Sequence, residues 1–527
     1  MKGGRMDRRY SLSERTIEIG FVVIVSLFFF RGSALADPFP MNPPRDLIIE
    51  PLTQTFPNLE LRGYLINESD ILLHNTGDAP LGGGRHLHIK QNFQRIEWLG
   101  ELRYKYYFSP TLTLIGQLDY LYDSSFDWQR GALGKGEGTE RELEYFHSFR
   151  RWFREGYFLW SKGDWEFRIG KQQIVWGKAT DIGHFVDQLH GYDFRELHDT
   201  AVDDTELTRR TAWMADISYY LADTFLGDVE FELIWMPDYE ESLYAPAPYL
   251  QSPAFIFRNS YKNLRFFKTD KPSASFKNHE WGARVSTFTE GGWDLGLYFL
   301  YIWEKTPYNF IKGIDTAALG RGEPWIIIEP KPVRMTMLGA TGEKITHMLG
   351  KDWTLRGELA YFLNRYRSTR TEQPSARDIA AGFLAPGKDG YTKRNEMRWA
   401  LNAETTFKPP LVKGPADWLI TTWVAVYNYF GYDNDQTELG KTLDKWQTYG
   451  IVSISKSFWN DRATFSCAVG YNDGGSWRFA GPKMNYEITN TFNVDIGYTG
   501  YAGNNDDVWG WGDRNFDEIQ LEFTYTF

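Results

Sequence analysis

Glu518-Ile519-Gln520-Leu521-Glu522-Phe523-Thr524-Tyr525-Thr526-Phe527 closes the chain. Ile519, Leu521, Phe523, Tyr525 and Phe527 share one parity; Glu518, Gln520, Glu522, Thr524 and Thr526 share the other. Strict period-two alternation gives one greasy face and one wet face, which is a half-buried strand. A strand of a soluble sandwich would alternate in the same way, so the decision rests on what surrounds this one.

The same alternation recurs upstream. Ile96, Trp98, Leu102, Tyr104, Tyr106 and Phe108 oppose Glu97, Glu101, Arg103 and Lys105. Trp165, Phe167 and Ile169 oppose Glu166 and Arg168, and Phe231, Leu233 and Trp235 oppose Glu230 and Glu232. Trp281 and Val285 oppose Glu280 and Arg284. Trp353, Leu355, Leu359 and Tyr361 oppose Arg356, Glu358 and Asn364, while Met397, Trp399 and Leu401 oppose Arg398, Asn402 and Glu404. Short turns at Ser109-Pro110, Ser161–Asp164, Glu290–Gly292, Leu349–Asp352, Asn460-Asp461 and Thr489-Asn490 alternate with long polar loops. The loops cover about 123–149, 177–210, 238–278, 304–332, 366–394, 431–445 and 502–516. Strands are expected to start near 59, 88, 111, 150, 165, 211, 227, 279, 293, 333, 353, 395, 417, 446, 462, 478, 491 and 517. This is the layout of an all-β, single, transmembrane, antiparallel up-and-down barrel with long extracellular loops and short periplasmic turns. The strand count is about 18, with 16 next best.

Composition agrees. Aromatics are 17% of 527 residues, yet mean hydropathy is −0.46, which suits strands that are apolar on one face only. The net charge of −11 argues against nucleic acid as a partner, since phosphate neutralisation needs a Lys/Arg excess. The single cysteine, Cys467, excludes an intrachain disulfide, a Cys-based zinc site and covalent c-type haem, and no cofactor is expected. A basic start (Lys2, Arg5, Arg8, Arg9), the apolar run Ile19–Phe30 and Ala34-Leu35-Ala36 read as a signal peptide over 1–36, cleaved after Ala36. Its six basic and three acidic residues carry +3, so the remaining chain is near −14. Residues 37–58, rich in proline, read as a periplasmic leader, and 59–527 as the barrel. The location implied is the outer membrane of a Gram-negative-type bacterium.

Two resemblances sharpen this. The terminal Phe527, with Phe523 and Tyr525 before it, resembles the closing strand of bacterial outer-membrane barrels, which implies recognition by the barrel-assembly machinery. Arg168-Ile-Gly170-Lys171-Gln172-Gln173-Ile-Val-Trp176-Gly177 resembles a bacterial outer-membrane barrel family of unknown function. Its members carry Arg-x-Gly-Arg/Lys-Gln-Gln-x-Val-Trp-Gly there. The segments Leu233–Pro237, Leu355–Glu358 and Gly481–Phe527 agree as well. Where that family usually continues Asp-x-x-Asn-Pro-x-Asp, this chain has Asp187 to Asp193 without Asn-Pro, so the turn after the motif is its own. The resemblance implies a barrel in a bilayer of outer-membrane lipids and names no substrate.

A barrel of this size leaves an aqueous lumen unless loops fill it. Parity places Arg168, Gln172, Trp176, Arg284, Arg356, Glu358, Arg398 and Glu404 on the pore-lining face. Trp176 is the odd member. Either Trp176-Gly177 packs against a loop that folds inward and narrows the pore, or a bulge returns Trp176 to the outer aromatic girdle. His184, His190 and His198 lie among Asp187, Asp193 and Asp199 without a tight ligand spacing, so no metal site is assigned. No G-x-S-x-G, H-E-x-x-H, P-loop or Rossmann pattern occurs in convincing context, so no catalytic residues are assigned. The expected function is a passive or lightly gated channel for small solutes, porin-like, with a weak preference for cations. Three alternatives remain: a carrier of hydrophobic substrates with the aromatic loop 238–278 as its mouth; the sheath of a porin–cytochrome conduit, its cytochrome a separate chain; and an outer-membrane hydrolase. A homo-oligomer is compatible with each.

Overall fold

In the computed structural model the described residues are 49–73, 76–80, 86–89, 93–123, 152–178, 185–193, 208–243, 264–266, 271–273, 275–321, 326–369, 390–408, 418–432, 437–438, 441–442, 444–472, 477–502 and 517–527. The signal peptide, most of the leader, His184 and His198 therefore lie outside the described residues. Eighteen strands form one sheet, all antiparallel. They are β1 Leu59–Leu72, β2 Phe93–Ser109, β3 Leu112–Asp123, β4 Phe153–Lys162, β5 Trp165–Gln172 and β6 Ala212–Thr224. Next come β7 Gly227–Met236, β8 Glu280–Phe288, β9 Trp293–Trp303, β10 Arg334–Met348, β11 Lys351–Ser368 and β12 Tyr391–Phe407. The last are β13 Trp418–Tyr429, β14 Trp446–Phe458, β15 Ala463–Asn472, β16 Trp477–Thr489, β17 Phe492–Ala502 and β18 Glu518–Thr526.

Each strand pairs with its sequence neighbours, and β1 pairs with both β2 and β18, so the sheet closes. Closure removes the edges that a membrane could not satisfy. The seam runs from Tyr64 against Thr526 to Leu72 against Glu518, and Gly63 and Phe527 exchange both backbone hydrogen bonds at 2.9 Å. The ring of Phe527 sits where a side chain on Gly63 would project, its Cζ 2.7 Å from an ideal Cβ there. Strand two begins at Phe93, later than expected, because His86–Ile89 pairs instead with Thr76–Pro80 in a separate hairpin.

The two faces separate as alternation demands. Ile169 is 61%, Leu297 65% and Leu401 58% exposed, whereas Glu358, Asn402 and Glu232 are nearly fully buried. So many large apolar side chains exposed all round belong in lipid, not water. Aromatics gather at the short-turn end: Trp165 lies 4.5 Å from Tyr219 and 5.7 Å from Phe167, and Lys344 sits 4.9 Å over Trp293. This is an interfacial belt with a snorkelling cation.

One irregularity corrects the parity reading. Between Phe362 and Arg365 the β11–β12 register shifts, with Asn364 at φ 52°. The extra residue flips the face. Asn364 is therefore a bulge residue, and Arg365 and Arg367 turn toward the lumen partners described below.

Candidate functional site

The inner wall is not uniformly wet. Ile234 and Met236 on β7, Leu300 and Ile302 on β9, Met335 and Met337 on β10, and Ala360 and Phe362 on β11 are buried together. They are covered by residues 173–178, which leave β5 and fold into the barrel, and by residues 185–193. Ile174, Trp176, Phe185, Val186 and Leu189 bury their side chains in this cluster. Trp176 is 1% exposed, lies 5.3 Å from the Tyr298 ring and donates from Nε1 to Glu232 at 2.9 Å. Phe185 meets Tyr427 of β13 edge to face at 5.2 Å. The segment thus touches the wall from β7 round to β13. Trp176 points inward, not to the girdle.

Polar anchors fix the path. Glu358 accepts backbone hydrogen bonds from Lys178 and, at 3.1 Å, from Phe185. Gly177 passes so close that a Cβ would stand 2.4 Å from Glu358 Oε1, and its φ of +113° disfavours any other residue. Val186 packs where Gly339 leaves no side chain, and Trp176 does the same over Gly282. Lys178 Nζ pairs with Asp294. Asp187 and Arg209 form an ion pair of 2.9 Å, both almost completely buried. Truncating either would strand a charge, which costs about 3–5 kcal/mol.

His190 is committed twice. Its Nε2 accepts from the Ile174 N–H at 3.0 Å, so its Nδ1 carries the proton and donates to the Arg210 carbonyl at 2.9 Å. Burial, with Lys305 and Arg209 nearby, pushes its pKa down to about 3. Both nitrogens are therefore in use as a neutral imidazole, and neither serves a metal. Among the described residues no cluster of three or more metal-ligating side chains exists. The unfolded imidazole titrates near 6.5. The stabilisation from a neutral His190 is then complete above that value and is lost as pH falls from there toward 3. By pH 5 the seated segment should lose about 2 kcal/mol, from roughly 1.4 kcal/mol per pH unit. Hydrogen exchange across 185–193 should accelerate at pH 5 after correction for intrinsic rates. In His190→Gln it should not; equal pH dependence in both proteins would exclude this role.

The charged residues expected to line the pore fall into two groups. Toward the short turns, three arginines each lie between two carboxylates. Arg168 meets Glu166 at 2.8 Å and Asp216 at 3.7 Å; Arg284 meets Glu232 at 2.7 Å and Glu230 at 2.9 Å. Arg356 meets Glu343 at 3.4 Å and Glu404 at 3.6 Å, with Asn402 at 3.1 Å. Gln172 is buried at 1% exposure and donates to the Met214 carbonyl. Arg398 stands apart: it rises from the middle of β12 and reaches toward the long-loop end. There Glu396, fully buried, receives Arg398 at 2.6 Å, Arg365 at 3.2 Å and Arg367, and Arg365 also reaches Glu304. Parity counting missed Arg365, Arg367, Glu396 and Glu304. Two arginines on the apparently greasy parity of one strand were the available signal.

A closed barrel of this size, with an apolar belt outside and charges inside, has the architecture of outer-membrane porins. The chain belongs to the family described as "Protein of unknown function (DUF1302)", which matches residues 93–527. No curated protein matches it. Among solved structures it is similar to OccAB1 of Acinetobacter baumannii (9% identity, 89% of this chain and 96% of that chain, TM-score 0.46). It is also similar to a BenF-like porin of Pseudomonas fluorescens Pf-5 (9% identity, 89% and 98%, TM-score 0.46) and to OccK9 of Pseudomonas aeruginosa (11% identity, 89% and 98%, TM-score 0.45).

Proposed function

We propose that the protein is a passive, loop-restricted channel for small polar solutes in a bacterial outer membrane, reached by a signal peptide cleaved after Ala36. The observation that carries this reading is the seating of residues 173–178 and 185–193, held by Trp176, His190 and Glu358 against the inner wall. An in-folded segment narrows a lumen that would otherwise pass large solutes. It also speaks against a sheath for a cytochrome, which needs the lumen cleared for its partner. The carboxylate excess around Arg168, Arg284 and Arg356 favours cations at the short-turn end. Refolded protein in a planar bilayer under a salt gradient should give small, steady conductance steps with weak cation preference. A folded but silent barrel would contradict the reading.

A further inference from the structure

The lipid face of β7 to β10 is layered toward the long loops. Leu233, Ala283, Phe299 and Leu338 are register partners across the four strands and form an apolar row. One step nearer the loops, Trp235, Trp281 and Tyr301 stand side by side. Such an aromatic row marks the boundary between hydrocarbon and headgroups. One step further, Trp303 is paired with Arg334, and the short turn Phe276–Asn278 leads into β8 at the same end. The long-loop end of such a barrel is extracellular, so these residues lie in the headgroup layer of the outer leaflet.

Arg334 is braced there. Its guanidinium lies 4.1 Å over Trp303 and 4.8 Å over Tyr301, and it donates to the carbonyls of His279 at 2.9 Å and Lys277 at 3.1 Å. These bonds spend two of its five N–H groups. They also bring the exposed Lys277 beside it. Trp303 Nε1 donates to the Asn278 carbonyl and Trp235 Nε1 to His279 Nδ1, both at 2.9 Å, so the turn is pinned to the aromatic rows. Phe276, 77% exposed, packs on His279. The carboxylates on the adjoining chain are engaged elsewhere. Glu280 holds Lys305, Glu304 holds Arg365, Glu329 holds Lys312 and Lys331, and Asp238 accepts from the Tyr239 N–H. Among the described residues no ion pair reaches Arg334 or Lys277.

We propose that Arg334 and Lys277 form a binding site for the phosphate of a phosphorylated glycolipid, of lipid A type, in the outer leaflet. The site goes beyond the channel reading and needs only the barrel's orientation in the membrane. A braced guanidinium fork matches phosphate oxygens, and the ammonium adds a point charge. Basic groups at a membrane surface select phosphorylated headgroups. Two cations without a carboxylate partner would repel the ammonium of a zwitterionic phospholipid, but suit a headgroup whose only charges are phosphates. The exposed ring of Phe276, on the water side of the aromatic row, offers a flat apolar face to a sugar ring.

Native mass spectrometry of the refolded, detergent-solubilised protein tests this with lipid A, enzymatically dephosphorylated lipid A and phosphatidylglycerol, and with inorganic phosphate as competitor. Lipid A should bind saturably, the other two lipids at least about tenfold more weakly, the worth of one hydrogen bond to a charged group. Inorganic phosphate should not displace it. Lys277 lies outside the strand ladders, so Lys277→Gln leaves the barrel's backbone hydrogen bonds intact. That variant should lose about tenfold in affinity for lipid A and none for the dephosphorylated lipid. Lys344→Gln removes the cation over Trp293 at the short-turn end of the same face and should change neither. Equal binding of lipid A with and without phosphate, equal binding of phosphatidylglycerol, displacement by inorganic phosphate, or equal losses in the two lysine variants would each overturn the site. Bilayer conductance separates the two readings. A conducting barrel indifferent to lipid A loses the site and keeps the channel; a silent barrel that binds lipid A through Lys277 keeps the site and loses the channel.

Discussion

Trp176→Ala should release residues 173–178 and 185–193 from the wall while leaving the barrel folded. The indole is 1% exposed, packs on Tyr298 and over Gly282, and satisfies Glu232. Removing a buried Trp costs about 3–5 kcal/mol in cavity and transfer terms. Glu232 keeps Arg284 at 2.7 Å, so the lost indole hydrogen bond does not strand the carboxylate. The loss falls on the seat, because the strands hold each other by their own ladders. Conductance should therefore rise and the cutoff for sugars in liposome swelling should move to larger solutes, with heat-modifiable gel mobility unchanged. Unchanged conductance in a folded variant would mean that the segment does not restrict the pore.

Leu359→Arg should destabilise the barrel itself. Leu359 is 41% exposed, faces outward, and lies at the middle of β11 between the buried Glu358 and Ala360. An arginine on the lipid face near the midplane costs about 2–4 kcal/mol. Ser453→Arg is the comparison, since Ser453 shares its parity on β14 with Ile451, which packs against the buried cluster inside the barrel. That substitution should stay within about 1 kcal/mol in urea titrations of protein in lipid vesicles. Equal losses at the two positions would refute the assignment of faces.

Most of the barrel was legible because its determinant is local. Period-two alternation fixes a strand and its faces without knowledge of the neighbour. The strand starts from 111 to 517 follow from the alternation and the turns, and the closing strand fixes the seam through Phe527. The lumen was legible only where it obeyed that rule. Arg168, Arg284, Arg356 and Glu404 pair as inward residues, and Trp176 and Glu358 meet the same folded segment. The apolar seat was not, because Leu295-Gly-Leu-Tyr-Phe-Leu-Tyr-Ile-Trp303 on β9 is apolar on both faces, and a run covered on both sides carries no alternation to read. The arginine cluster escaped for a different reason. A single bulge at Asn364 inverts every side chain beyond it, and only the improbability of Arg365 and Arg367 in lipid reveals the inversion. The feature that restricts the pore and the feature that distinguishes its outer end both depend on departures from regular alternation.

The most direct test fastens the segment to the wall. An ideal Cβ on Gly339 lies 3.4 Å from Val186 Cβ, close to the lower end of disulfide geometry, with Tyr298 Cβ 3.2 Å away giving slightly. In a Cys467→Ala background, Val186→Cys with Gly339→Cys should oxidise to a single cross-link in the folded barrel. Single-channel conductance should then be the same before and after reduction, because the seated segment is the conducting, restricted state. A cross-linked barrel that carries no current until it is reduced would show a plug that must leave, and would contradict the account.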